Sequence, residues 1–185
     1  MRRLALGLVH HPVLDRQGEL STTAITNLDL HDMARSAKTY GAEALYVVHP
    51  LEAQCELARR IRDHWIEGRG KKRIPTRAVA LELLRIVPTL ERAYDELGGG
   101  RGGVELWTTA AQARGSITSF AEARARLAEE GPPVLLLFGT GWGLTPQLLD
   151  EADLRTEPIR GVSPSGYNHL SVRSACAIAL DRLRG

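Results

Sequence analysis

Apolar residues fall along this chain in short unbroken runs separated by longer stretches of helical spacing. Leu4-Ala5-Leu6-Gly7-Leu8-Val9 is one such run; His10-His11-Pro12 ends it, which reads as a buried strand followed by a loop. Residues 22–29 are polar and turn-like. From there Leu30, Met33, Ala34 and Ala37 recur at helical spacing until Gly41. Ala44-Leu45-Tyr46-Val47-Val48 predicts a second strand, stopped by His49-Pro50. A helix then carries Leu51, Leu57, Ile61 and Trp65 and ends at Gly68, after which the basic residues 68–72 read as a loop. Residues 75–84 are expected to be helical, 85–87 to form a short strand broken by Pro88, and 90–97 to form a helix stopped by Gly98-Gly99-Gly100. Val104-Glu105-Leu106-Trp107 reads as a strand running into Thr108-Thr109-Ala110, and Ser119 caps a helix through Glu130. Val134-Leu135-Leu136-Leu137-Phe138 has no polar alternation, as expected of a parallel strand covered on both faces. In the last segment Val172, Ala175, Cys176, Ala179, Leu180 and Leu183 share one helical stripe while Arg173, Asp181 and Arg184 lie off it. Cys176 there reads as a core filler. Strands alternating with helices predict an α/β fold, a mostly parallel sheet with helices on both faces, in one domain over residues 1–185.

Composition narrows the class. The 185 residues are 43% hydrophobic and 25% charged, which fits a globular protein and excludes collagen, disordered and disulfide-scaffold classes. No apolar run approaches the roughly 20 residues that cross a bilayer. The run after Arg3 is too short for a signal peptide, so a cytoplasmic location is expected. Cys55 and Cys176 form no CxxC pair and fit reduced thiols better than a metal site. The net charge of +2 does not by itself announce a nucleic-acid binder. Its distribution says more: Arg69, Lys71, Lys72, Arg73 and Arg77 sit together with no acidic residue among them. They read either as a polyanion contact or as a solvated stretch of an arginine-rich chain.

In an open parallel sheet, ligands collect beyond the carboxyl ends of the strands. That rule selects residues 10–15, 108–110, 139–144 and 158–171. Gly139-Thr140-Gly141-Trp142-Gly143 follows the best strand, and its glycines admit a ligand close to the main chain. Thr145-Pro146 supplies a cap and a first-turn proline for a short helix. The G-x-G-x-G spacing on a late strand lacks the dinucleotide fingerprint, and no phosphate-binding Gly-Lys-Ser/Thr follows any strand. A tight turn with no ligand is the plainer reading of this loop. Residues 161–171 form a Gly/Ser/Pro loop followed by Tyr167, Asn168, His169, Leu170 and Ser171, in which Asn168 or Ser171 alone reads as an N-cap. Asp29, His31, Asp32 and Arg35 gather around a helix start, where either carboxylate also suits the helix dipole. His31 has no Cys or His at zinc spacing, His10-His11 is a poor chelating pair, and no Gly-x-Ser-x-Gly elbow appears, so no metal or serine-hydrolase site is expected.

Three of these stretches, taken in order, resemble the motifs of the SPOUT superfamily of RNA methyltransferases. Asp29-x5-Arg35-x-Ala37-x3-Gly41 looks like the first motif of its tRNA/rRNA 2′-O-methylating branch. Leu135-Leu136-Leu137-Phe138-Gly139 with Gly143-Leu144 looks like the second, and Asn168-His169-Leu170-Ser171-Val172-x2-Ala175 like the third. The whole chain is similar to a bacterial group of RNA methyltransferases, some related to the tRNA guanine-N1 methyltransferase. That branch usually has Asn in place of Asp29, an acidic residue at Thr140-Gly141, and Asn in place of His169. The acceptor atom, ribose oxygen or base nitrogen, therefore stays open.

The resemblance implies a C-terminal trefoil knot and S-adenosylmethionine bound in a bent shape by three loops. Thr108, Thr109 and Ala110 form the first; Phe138, Gly139, Thr140, Gly141, Trp142, Gly143 and Leu144 the second. Ile159, Gly161, Tyr167, Asn168 and Leu170 lie in the third. It implies a homodimer, for which the small-residue face of the final helix suits packing, and tRNA or rRNA as substrate. Asp29, His31 or His169 would be the general base, with Asn168 beside them, and Arg35 would orient a phosphate. The Arg69, Lys71, Lys72, Arg73 and Arg77 cluster would contact the RNA backbone. A non-catalytic RNA-binding or S-adenosylmethionine-sensing module is the rival; a nucleotide-dependent oxidoreductase has the wrong loop spacing.

Overall fold

A computed structural model describes residues 1–112 and 115–185. In chain order its elements are β1 (Leu4–Val9), β2 (Val13–Leu14), β3 (Leu20–Ser21), α1 (Asn27–Thr39), β4 (Ala44–Val48), α2 (Glu52–Ile66) and α3 (Arg69–Arg73). There follow α4 (Pro75–Leu81), β5 (Leu84–Val87), α5 (Leu90–Gly98), a short 3-10 turn (Arg101–Gly103), β6 (Glu105–Thr108) and α6 (Phe120–Ala128). The last elements are β7 (Val134–Gly139), α7 (Pro146–Asp150), β8 (Leu154–Arg155) and α8 (Val172–Arg184).

Six strands pair in the order β5-β4-β1-β7-β6-β8, every pair parallel. The first strand is thus central. The order runs leftward from β1 to β4 and β5, and rightward through β7, β6 and β8, so the direction of winding reverses between β1 and β7. Their register puts Val9 beside Gly139 at the carboxyl edge.

Burial of both faces explains the unbroken apolar runs. Leu4, Leu6 and Leu8 of β1 point into a core shared with Leu30, Met33 and Ala34 of α1, Ala123 and Leu127 of α6, and Cys176, Ala179 and Leu180 of α8. Ala5 and Val9 face the opposite core, with Ala93 and Leu97 of α5 and Leu148 and Leu149 of α7. Gly7 falls on that second face, where an added Cβ would meet Leu137 Cδ2 at 2.5 Å. At the amino edge of the sheet, Glu105 is buried because Arg2, Arg126 Nε (2.6 Å) and Trp107 Nε1 (2.7 Å) surround its carboxylate.

Two expectations are corrected. Residues 68–72 are not a loop: Arg69–Arg73 is the helix α3, in which buried Gly70 packs where a Cβ would strike Trp65 Cε3 at 2.7 Å. The small-residue face of α8 is not open to a second copy, since Cys176, Ala179 and Leu180 are wholly buried against α1 and α6 of the same chain. Among the described residues no helix is long and apolar enough to cross a membrane.

Candidate active site

The reversal point between β1 and β7 opens into a cleft of about 920 Å³ at the carboxyl edge of the sheet, where open parallel sheets bind ligands. Its walls come from the ends of β1, β6 and β7, the start of α1, and the irregular stretch between β8 and α8.

The loop after β7 is shaped by its glycines. Trp142 N–H donates to Leu14 O (3.0 Å) and Leu14 N–H to Gly143 O (2.9 Å), which docks the β2–β3 hairpin on the loop. Gly141 has φ +58° and sits where a Cβ would lie 2.9 Å from Leu14 O, a position that only glycine fills without strain. Thr145 then caps α7, with Pro146 in its first turn.

The loop after β6 is tied to its neighbour by Thr109, whose N–H and Oγ1 both donate to Leu137 O (3.1 and 2.9 Å). The third wall is held by one amide. Asn168 Nδ2 donates to Ile159 O (2.8 Å) and Asn168 Oδ1 accepts from Gly161 N–H (2.9 Å), closing a loop that carries no regular structure. Ser171, not Asn168, caps α8.

Asp29 stands in the first turn of α1, only 7% exposed, and faces the cleft. Its Oδ2 accepts from Thr26 Oγ1 (2.6 Å), and its Oδ1 accepts from Arg173 Nη1 (3.0 Å). Arg173 Nε also lies 3.6 Å from Asp32 Oδ2. Each Asp29 oxygen keeps a further lone pair for a ligand.

His10 continues β1 into the wall at 1% exposure. Its Nδ1 meets Thr23 Oγ1 (2.9 Å), Thr23 Oγ1 meets Thr140 Oγ1, and Thr140 Oγ1 donates to Val9 O (3.0 Å). Burial, then the neighbouring His49 ring at 5.7 Å, pushes the His10 imidazole down to about 4, so it is neutral at neutral pH.

Of the residues singled out in the sequence, the cleft wall contains Asp29, Thr109, Ala110, Phe138, Gly139, Thr140, Gly141, Trp142, Gly143, Leu144, Ile159, Asn168, His169 and Leu170. Thr108, Gly161 and Tyr167 lie outside it: Thr108 is buried beneath, and Gly161 acts through Asn168. His31 and Arg35 also lie outside. His31 packs its ring edge-on against Trp65 at 5.3 Å; Arg35 is exposed, 4.0 Å from Asp32. Arg69, Lys71, Lys72 and Arg73 are exposed on and beside α3, while Arg77 stacks on Trp65 at 4.7 Å. Sequence reasoning missed Arg173, set aside as off the apolar stripe; His10 opened one of the four segments selected at the strand ends, but as a side chain it was weighed only as half of a poor chelating pair. Among the described residues no group of three or more His, Cys, Asp or Glu is placed to hold a metal.

A doubly wound parallel sheet with a glycine-lined cleft at its reversal point defines a small-molecule-binding α/β protein. Residues 3–185 match the model of a family described as SAM-dependent RNA methyltransferase, and the chain belongs to that family. A tRNA (guanine-N(1)-)-methyltransferase of Nitratidesulfovibrio vulgaris is 42% identical over all 185 residues, although the chain spans only 42% of that relative's length. An uncharacterized protein of Aquifex aeolicus is 35% identical over 179 residues, which is 96% of this chain and 86% of its own. Among solved structures, the SpoU methyltransferase AviRb of Streptomyces viridochromogenes in complex with AdoMet superposes with a TM-score of 0.55. That match has 16% identity and covers 98% of this chain and 56% of AviRb, so it speaks for the fold.

S-adenosylmethionine is the family's methyl donor, and the cleft fits it. A volume of about 920 Å³ lies within the range of small-molecule sites. Gly143 has room above it among the described residues, and Trp142 and Leu170 lend exposed apolar surface to the wall.

Proposed function

We propose that this chain, as a single domain over residues 1–185, transfers a methyl group from S-adenosylmethionine to a nucleotide of tRNA or rRNA. The observation that carries the reading is the convergence of the loops after β6, β7 and β8 on one cleft beside the buried carboxylate of Asp29. S-adenosylmethionine, when bound, supplies an electrophilic sulfonium methyl. Residues 109–112, 139–144 and Ile159 hold it, with glycine main chain allowing close approach.

Asp29, at the β1 side of the cleft, takes the proton that the accepting nitrogen or oxygen gives up. Thr26 and Arg173 fix both of its oxygens, so little reorganisation is needed at transfer. The cationic segment around α3 follows the RNA phosphates. A homodimer in the cytoplasm belongs to the same reading. Arg35 projects from α1 into solvent and is available to a second copy's cleft. The trefoil threading of the C-terminus belongs to it as well: the end of β8 and the residues just past it pair with Thr118, through Thr118 N–H to Arg155 O (2.8 Å) and Glu157 N–H to Thr118 O (2.9 Å), and α8 then packs on α6.

The test is incubation with methyl-labelled S-adenosylmethionine and unmodified tRNA and rRNA pools, followed by nucleoside mapping. Label enters RNA and is lost in Asp29→Ala. Binding of donor and RNA without label above that control would instead favour the non-catalytic module.

A further inference from the structure

The chain of hydroxyls beside His10 decides which of its ring nitrogens carries the proton. Thr140 spends its single hydroxyl hydrogen on Val9 O, so the hydrogen between the two threonines belongs to Thr23. Thr23 Oγ1 has no second hydrogen to give, and His10 Nδ1 must therefore be the donor. In a neutral imidazole that leaves Nε2 as a bare lone pair. This Nε2 is buried, has no hydrogen-bond partner among the described residues, and belongs to a residue of the cleft wall. An acceptor left unpaired inside a protein forfeits its hydration without replacement, so it calls for a donor that arrives from outside. His49 is no rival for that role. Its Nδ1 accepts from Leu51 N–H (3.1 Å) and its Nε2 donates to Thr23 O (3.0 Å), which satisfies both nitrogens.

Position in the sheet says which ligand brings the donor. The glycine-bearing loops follow β7, β6 and β8, all on one side of the reversal point. His10 and Asp29 sit on the other side, at the end of β1 and the start of α1. We propose that His10 positions the methyl-accepting nucleotide, its Nε2 accepting a hydrogen bond from an uncharged donor there, a ring N–H or a ribose 2′-OH. The inference rests on the methyl-transfer reading above. The two side chains divide the work: His10 orients the nucleotide through a donor that keeps its hydrogen, and Asp29 takes the proton from the atom that is methylated.

Two substitutions and one spectrum test it. In His10→Asn the amide nitrogen replaces Nδ1 toward Thr23 and nothing stands where Nε2 was. In His10→Gln a carbonyl oxygen can take the Nε2 place. In the free wild-type chain, the nitrogen-15 spectrum should show Nδ1 protonated and Nε2 bare. Adding unmodified tRNA with S-adenosylhomocysteine should move the Nε2 signal. Expected kcat/KM falls about tenfold or more in His10→Asn and partly returns in His10→Gln, with calorimetric binding of S-adenosylmethionine unchanged in both. A protonated Nε2 in the free chain, an unmoved Nε2 signal, a His10→Asn variant as active as wild type, or equal loss in both variants with lowered melting would each overturn the role. Donor binding and label transfer by the wild type in any of those cases leave the methyl-transfer reading standing; their absence removes both.

Discussion

Arg173 Nη1 lies 3.0 Å from Asp29 Oδ1 and joins the first turn of α8 to the first turn of α1 across 144 residues of chain. The carboxylate is nearly buried while the guanidinium is about one-third exposed, so solvent screens only one end of the pair. Arg173→Ala is expected to cost roughly 1–2 kcal/mol, lowering the melting midpoint by roughly 2–8 °C in calorimetry. Asp29→Asn keeps the shape and removes the proton acceptor. Label transfer to RNA should drop by about 10²-fold while S-adenosylmethionine binding changes little. Equal loss of donor binding would assign Asp29 to cofactor binding instead.

The β7–α7 loop offers a second measurement. Gly141→Ala forces a side chain into positive φ and against Leu14 O, which pries the β2–β3 hairpin from the loop. Calorimetry should find S-adenosylmethionine affinity weakened on the order of tenfold, about 1.4 kcal/mol. Gly99, at φ +75° just after α5, outside the cleft and with nothing among the described residues near its Cβ position, is the control: Gly99→Ala carries the backbone strain without the collision and should leave affinity close to wild type.

For the cationic segment, Lys71, Lys72 and Arg73 changed together to Ala should weaken tRNA binding and flatten its salt dependence, by roughly 0.7–0.9 in log–log slope for each phosphate left without its cation. All three are exposed, so stability should hardly move. An unaltered slope would remove α3 from the RNA interface.

Acid sensitivity follows from the histidines. His10 is pushed from its ordinary 6.5 to about 4, and burial also lowers His31 and His49. Between about pH 4 and pH 6.5 the unfolded chain therefore binds more protons than the folded one, and stability rises with pH. Full stability is present above about pH 6.5 and is lost as pH falls toward 4, by up to about 3 kcal/mol from His10 alone. Urea unfolding at several pH values should show this slope, and His10→Asn should remove its largest part.

The parts legible in sequence were those where one chain segment carries its own periodicity. β1, β4 and β7 are continuous apolar runs because both sheet faces are covered, and α1 and α8 show their stripes because each lies on one core. α3 was hidden because Arg-Gly-Lys-Lys-Arg has no stripe; it is helical because Gly70 fits against Trp65 and Ile74 N–H closes on Gly70 O (2.9 Å). β2, β3 and β8 are two residues each, too short for any period. In the site, glycine chemistry pointed to residues 139–144 directly. Arg173 and the His10–Thr23–Thr140 chain depend on meetings 144 and 117 residues apart, which no local pattern encodes. Asn168 was visible as a polar residue at a helix start, but its amide is spent within the loop.

The docking of α8 has a further consequence. Arg173 and Ser171 reach the cleft only when that helix settles between α1 and α6, whereas the central strands meet earlier in the chain. On the proposed reading the donor rests on residues 139–144 and Ile159, and the stretch from Ile159 leads straight into α8, so the free energy of binding is shared with the docking of that helix. Protection of α8 amides from hydrogen exchange should accordingly rise when S-adenosylmethionine is added, which makes that helix the natural reporter of occupancy.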